Sequence, residues 1–369
     1  TAGGAASQGT APSAETSGGK VNAAAAIALT LAMAVSRATI TGATVVAAGQ
    51  VRLAALENAD QSASADGSAA NGATATIGAG VALTRATVFT EAILPAGTTV
   101  TAGSLQLSTA TLVDGDDAAS VTTAQSAAGA GDGKISVAGS VAIALLTHSS
   151  LASLRGTANV DGAVLISAAN RSDIVAKALP HGDGVSGAAT LGIGASFALA
   201  IATGITTAEL ADGAALVGAD ALTVFASGRS TMTAEARMGA TGGGVALTPV
   251  VATALSTESA LARIGTGADV AVGGAIRLDA VTDATSHATA TAEVEGAGDA
   301  GIGVALALAM PQHRAIAEVA RNISAGGAVG LASFLTSTSG STAVASAAGA
   351  PENGAASGDA ANPGGAAGD

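Results

Sequence analysis

Four histidines, His148, His181, His287 and His313, are the residues best suited to acid–base or metal chemistry in this chain. Each stands alone in the sequence; only Asp183 lies near one of them, beside His181 in a Gly-rich stretch. Gly182-Asp183-Gly184-Val185-Ser186-Gly187 matches G-x-G-x-x-G, which holds a nucleotide pyrophosphate only between a strand and a helix N-terminus. Strand-like residues follow it here, so the segment reads as a Gly turn between repeats. Asp114-Gly115-Asp116-Asp117 is the densest acidic cluster, and calcium binds several such oxygens. The tandem nonapeptides of calcium-loaded β-rolls are absent, so Asp114, Asp116 and Asp117 read as a solvated loop, with a calcium contact as the alternative. Polysaccharide cleavage needs clustered acids, and the acids here are scattered, with no Trp or Tyr as a sugar platform. There is no Cys and no G-x-S-x-G elbow. Asn170-Arg171-Ser172 and Asn322-Ile323-Ser324 are sequons, relevant only in a glycosylating host. The expectation is a protein that is not an enzyme, with no catalytic, cofactor-binding or metal site and no cofactor.

The elements that carry these residues recur. An alternating apolar pair appears at Val51/Leu53, Leu105/Leu107, Val164/Ile166, Leu222/Val224, Ile276/Leu278 and Val329/Leu331, at spacings of 54, 59, 58, 54 and 53 residues. A Gly- or Asp-containing turn precedes each pair, at Ala48-Gly49, Ala102-Gly103, Asp161-Gly162, Gly218-Ala219-Asp220, Gly273-Gly274 and Gly326-Gly327. These residues suit positive φ. A second turn lies upstream, at Thr41-Gly42, Ala96-Gly97, Asp212-Gly213 and Thr266-Gly267, replaced by Thr157-Ala158-Asn159 and Arg321-Asn322 in the third and sixth copies. Between turns the period is two, as in Ile276-Arg277-Leu278-Asp279-Ala280. Ala favours helices, but frequent Gly, abundant Thr and Val, and the two-residue period oppose a helical repeat.

Composition sets the packing. Of 369 residues 49% are hydrophobic, yet only 4 are Phe and 4 Met, and 51 are Gly. A core of Ala and Val requires backbones to approach closely, and stacked modules sharing one narrow interior do this. The predicted fold class is therefore all-β: an elongated, parallel β-helix-like solenoid of about six modules, each one wide coil or two to three ordinary ones. The net charge of −13, without a basic cluster, opposes nucleic acid and anionic membranes. The apolar stretches at 21–35 and 185–205 resemble a signal h-region and a membrane span, but they recur at one place in every module and read as strands. No membrane insertion of this segment is expected. Residues 1–18 read as a flexible linker, 19–349 as the array, and 350–369 as a disordered Gly/Ala/Pro/Asp tail. Neither end looks like a cap, so the chain is expected to come from a longer array, with self-association through open solenoid ends.

Gly301-Ile302-Gly303-Val304-Ala305-Leu306-Ala307, and Ala262-Arg263-Ile264-Gly265 running on to Ala280, resemble repeats of giant bacterial filamentous adhesins of the leukotoxin type and autotransporter-like passengers. The resemblance covers about residues 19–349. It implies a filamentous, secreted or outer-membrane-attached stalk at the bacterial cell surface, without an active site, acting toward a host or cell-surface ligand. The functional expectation is a non-catalytic structural and adhesive stalk segment. The alternatives are a ligand-binding solenoid surface for calcium or ice and, behind it, a polysaccharide-active β-helix.

Overall fold

A computed structural model describes residues 13–16, 19–42, 44–70, 72–113 and 115–348. Among them every regular element is a strand, every pairing is parallel, and there is no helix. Residues pair with partners 52 to 61 positions on, for example Val21 with Ala75, Ala75 with Ile135, Ile135 with Leu191, Leu191 with Val245 and Val245 with Ala300. One module is therefore one wide coil. The six sequence pairs stack in register: Val51, Leu105, Val164, Leu222, Ile276 and Val329 form one ladder.

Each coil has three parts. A long front strand comes first, as in Gly72–Leu94, Val245–Ile264 and Ala300–Val319. A short corner strand follows, as in Thr157–Val160, Val270–Val272 and Ile323–Ala325. A long back strand then returns, as in Ala221–Gly242, Ile276–Glu295 and Val329–Ala345. Strand Ala163–Leu210 joins the back of the third coil to the front of the fourth. At about 3.3 Å per residue a front strand spans about 70 Å, while five steps between coils add only about 24 Å. The coil is thus elongated in cross-section. Strand Ser13–Thr16, inside the segment expected to be linker, already pairs with residues 66–69. The tail at 350–369 lies outside the described residues.

The interior is a wedge. At the corner it is filled by Leu, Ile and Val, such as Leu94, Leu154, Ile166, Leu210, Leu222 and Ile264, all fully buried. Away from the corner the front and back sheets converge onto an interior of Ala, including Ala82, Ala142, Ala198, Ala234 and Ala290. At the thin edge even Ala is too large. A Cβ on Gly80 would overlap the Ala127 carbonyl, and one on Gly194 would lie 2.7 Å from the Gly239 carbonyl oxygen.

The two turn signatures have different causes. Gly97 and Gly213 in the upstream turn have φ of 78° and 75°, as expected. Before the alternating pairs only Gly218 has positive φ. Gly103 and Gly162 are required there because a Cβ would sit 2.7 and 2.6 Å from a carbonyl oxygen of the coil below. In the third copy the turn falls at Arg155-Gly156, and Thr157-Ala158-Asn159 belongs to the corner strand. In the sixth, Arg321 replaces the Gly turn and donates to the Ala211, Ala214 and Thr266 carbonyls at 2.7 Å each. It thereby serves carbonyls of the fourth and fifth coils, two of which, Ala211 and Thr266, also accept a backbone N–H from Ala214 and Gly213.

A contrast within one front-strand motif tests this packing. Gly78 faces the Gly129 and Gly67 carbonyls across the thin edge, whereas a Cβ on Gly139 meets nothing within 4 Å. Gly78→Ala is expected to cost about 1–3 kcal/mol by overpacking, and Gly139→Ala to change stability by less than about 0.5 kcal/mol. Urea midpoints of the two variants check this.

Candidate functional site

The front strands alternate small and large residues, as in Gly192-Ile193-Gly194-Ala195-Ser196-Phe197-Ala198-Leu199-Ala200-Ile201-Ala202. On these strands the small set lines the interior, which Ile174, Met232 and Met238 of the back strands also enter, and the large set points outward. Parallel register stacks those outward residues into ladders: Ile27, Val81, Val141, Phe197, Val251 and Leu306 form one. Leu29, Leu83, Ile143, Leu199, Thr253 and Leu308 form the next. Ile77 and Ile135 remain 42% and 43% exposed, although neither is on an end coil. Arg85 is the one charged residue on this face between the Val21 and Leu31 ladders. A single Thr ladder, Thr87, Thr147, Thr203 and Thr257, borders it toward the corner. The outer back face is polar by contrast. Arg171, Asp173, Arg229, Thr231, Asp283 and Thr285 line a groove there of about 170 Å³, below the roughly 300–1,000 Å³ of small-molecule sites.

Inside the wedge, where the Ala part meets the Leu part, runs a buried polar seam. Front-strand register places His148, Gly204, Glu258 and His313 on successive rungs. Histidines isolated in sequence therefore acquire partners. His148 Nε2 lies 3.2 Å from Glu57 Oε1, with the two side chains 1% and 6% exposed, and Ser120 Oγ donates to Glu57 Oε1 at 3.1 Å. Burial pushes Glu57 up to about 7 and His148 down to about 4, so the pair is favoured as a neutral carboxyl facing a neutral imidazole. Glu258 is 1% exposed, and its carboxylate occupies the space that side chains at Gly204 and Gly228 would fill. Its Oε1 has no hydrogen-bond partner, and burial raises it to about 7 despite the Asn170 amide beside it. His313 bonds Ser256 Oγ at 3.0 Å and Ser337 Oγ at 2.8 Å. Glu57, His148 and Glu258 are sealed in the core, so that part of the seam offers no substrate access, while His313 on the sixth coil is half-buried.

The remaining sequence candidates separate. His181 Nδ1 meets Asp66 Oδ2 at 2.9 Å, a residue 115 positions away, rather than Asp183. His287 packs over Gly340. Gly182, Gly184 and Gly187 have positive φ within a continuous strand, with no helix after them. Pairing offsets jump from 54 at Glu57–Thr111 to 61 at Gln61–Thr122, so the acidic cluster sits on a seven-residue excursion of the second coil. Asp114 lies outside the described residues. Asp117 accepts from Asn58 Nδ2 at 2.9 Å and from the Ala119 N–H at 3.2 Å, using acceptor capacity that a cation would require. Among the described residues no group of three or more His, Asp or Glu is placed to hold a metal. No helix of the described residues is long and apolar enough to cross a membrane. The outward ladders were missed in the sequence, although the small–large alternation of the front strands carried the signal.

The buried carboxyls make stability pH-dependent. Glu57 and Glu258 bind protons more tightly folded, near 7, than unfolded, near 4.5. Their contribution is complete below about pH 4.5 and is lost as pH rises through 7. His148, lowered to about 4, acts oppositely as pH falls from 6.5 toward 4. The two carboxyls together outweigh the one imidazole, so the chain is expected to melt higher at pH 5 than at pH 8. Glu258→Gln is expected to gain up to about 3 kcal/mol at pH 8 and to flatten the profile. Thermal melts of both proteins across this range are the check; no difference between pH 5 and 8 contradicts the reading.

A scan against protein-family models and searches of curated proteins and of solved structures find nothing that matches this chain.

Proposed function

We propose that this chain is a non-catalytic structural and adhesive stalk segment of a secreted or surface-anchored bacterial adhesin, holding distal parts of its parent away from the cell toward a host or cell-surface ligand. The observation that supports the reading is the stacking register at the alternating pairs: one ladder runs from Val51 to Val329 through all six coils. Among the described residues the titratable groups that meet are either buried in the core, as Glu57 and His148, or surface pairs, as His181 and Asp66. A solenoid of this kind transmits force and distance through repeated nearest-neighbour contacts. The end coils add support. Ile27, Leu29 and Met33 on the first coil, and Leu306, Phe334 and Leu335 on the sixth, are 51–75% exposed, a surface on which a strand of matching register can stack.

The ice-binding alternative calls for paired Thr ladders; here a single one borders an aliphatic field. Thermal hysteresis of the purified chain tests it directly. The stalk reading is tested by joining two copies of residues 19–345 in coil phase and measuring small-angle scattering. The expected particle keeps the cross-section of one copy and lengthens along the solenoid axis by about 4.8 Å per added coil. Two separate bodies on a flexible join contradict a continuous stalk.

A further inference from the structure

We propose that the apolar front face is an interface between two copies of this chain, packed sheet against sheet. This goes beyond the stalk reading and does not rest on it. From the Val21 ladder to the Leu31 ladder the outward field spans ten residue steps along the strands and six coils across them. At about 3.3 Å per residue and about 4.8 Å per coil this is a surface of about 1,000 Å². Patches on monomers are typically about 300–600 Å². Two such faces bury about 2,000 Å² together, within the range of obligate homodimers. Parallel sheets almost always have both faces covered, and here the front sheet has its inner face covered by the back sheet alone.

The chemistry of the face selects its occupant. A lipid surface is matched by Trp and Tyr at headgroup level and by clustered Lys and Arg. This chain has no Trp or Tyr, and its net charge is −13. A second copy meets neither obstacle at the contact itself. Arg85 is the sole charge in the field. Most charges on the corner side of the same sheet are already paired, Arg37 with Glu91 at 2.6 Å, and Arg263 with Glu209 at 3.7 Å and Glu318 at 3.1 Å, while Arg314 donates to Ser259 Oγ at 3.2 Å. The relief is also self-complementary. The ladder Ala25, Ala79, Gly139, Ala195 and Pro249 is a shallow groove between the Ile77 and Val81 ladders, open above Gly139 and ended by Val304 on the sixth coil. A partner's aliphatic ridge fits such a groove as sheets interlock about 10 Å apart. Pairing of identical faces closes at two copies, unlike end-to-end stacking, which continues without limit.

Sedimentation equilibrium of the full chain over micromolar concentrations tests the proposal. The expected species is a dimer. Val141→Lys and Leu199→Lys are each expected to weaken it on the order of tenfold or more, with unchanged circular dichroism, while Thr231→Lys on the back face leaves it intact. Because the chain has no Cys, spin labels on single Thr203→Cys and Thr231→Cys variants give an independent reading without altering the aliphatic ladders. Labels at 203 are expected to lie closer to their mates than labels at 231. A monomer at every concentration overturns the proposal. So does an open-ended series of oligomers indifferent to both Lys substitutions, which assigns association to the coil ends. A monomer that floats with phosphatidylcholine vesicles overturns it in favour of a lipid surface.

Discussion

Two sheets held nearly backbone to backbone are the constraint on which the rest of this molecule depends. A Cβ on Gly80 would overlap the Ala127 carbonyl, and one on Gly194 would meet both the Gly239 carbonyl and the Met238 side chain that fills the space there. That closeness follows from an inward set made of Ala, Gly and Ser, which buries little area per residue. The deficit is offset by repetition, since each rung adds a full set of parallel hydrogen bonds to the rung below and shares its side-chain ladder. Only the corner, with Leu94, Leu154, Leu210 and Ile264, has a core of ordinary depth.

From the same closeness follows the placement of the large aliphatics. Val141, Phe197, Leu199 and Leu255 cannot turn inward, because a register slip of one residue would drive them into the opposite backbone. They must stand outside, where they gain only lateral contact within their ladders. An inverted sheet results, small inside and large outside, with a polar back face to complete the asymmetry. The buried seam obeys the same geometry. Glu258 is accommodated because Gly204 and Gly228 leave the volume its carboxylate needs.

Much of the coil was legible in the residues. The alternating pairs from Val51 to Val329 named the strand and the period, because period-two apolarity and recurrent turns are local signals. Other features were hidden for definite reasons. The choice between one wide coil and several narrow ones depends on which strands pair, a long-range fact. The pre-pair glycines looked like turn residues, yet Gly103 and Gly162 answer to the coil below, and sequence separation conceals such a neighbour. His148 and Glu57 lie 91 positions apart and in different coils, so only the fold discloses that they meet. The outward field was readable in principle, from Gly192 to Ala202, once small residues are recognised as the inner set.

The two kinds of unsatisfied surface left by this architecture differ in their logic. The end coils are open because a solenoid has no intrinsic last rung. Their edges expose backbone groups as well as side chains, and any strand of the right register satisfies them. The front face is open because the large residues of the front strands point outward, and over the inner coils it exposes side chains alone, with the backbone paired along the stack on both sides. A partner there must therefore be recognised by relief and apolarity, not by hydrogen bonding. Such recognition is strongest when many coils present the same ladders in phase. The feature that makes the array extensible, its register, is thus also what makes its front face grow with every coil added.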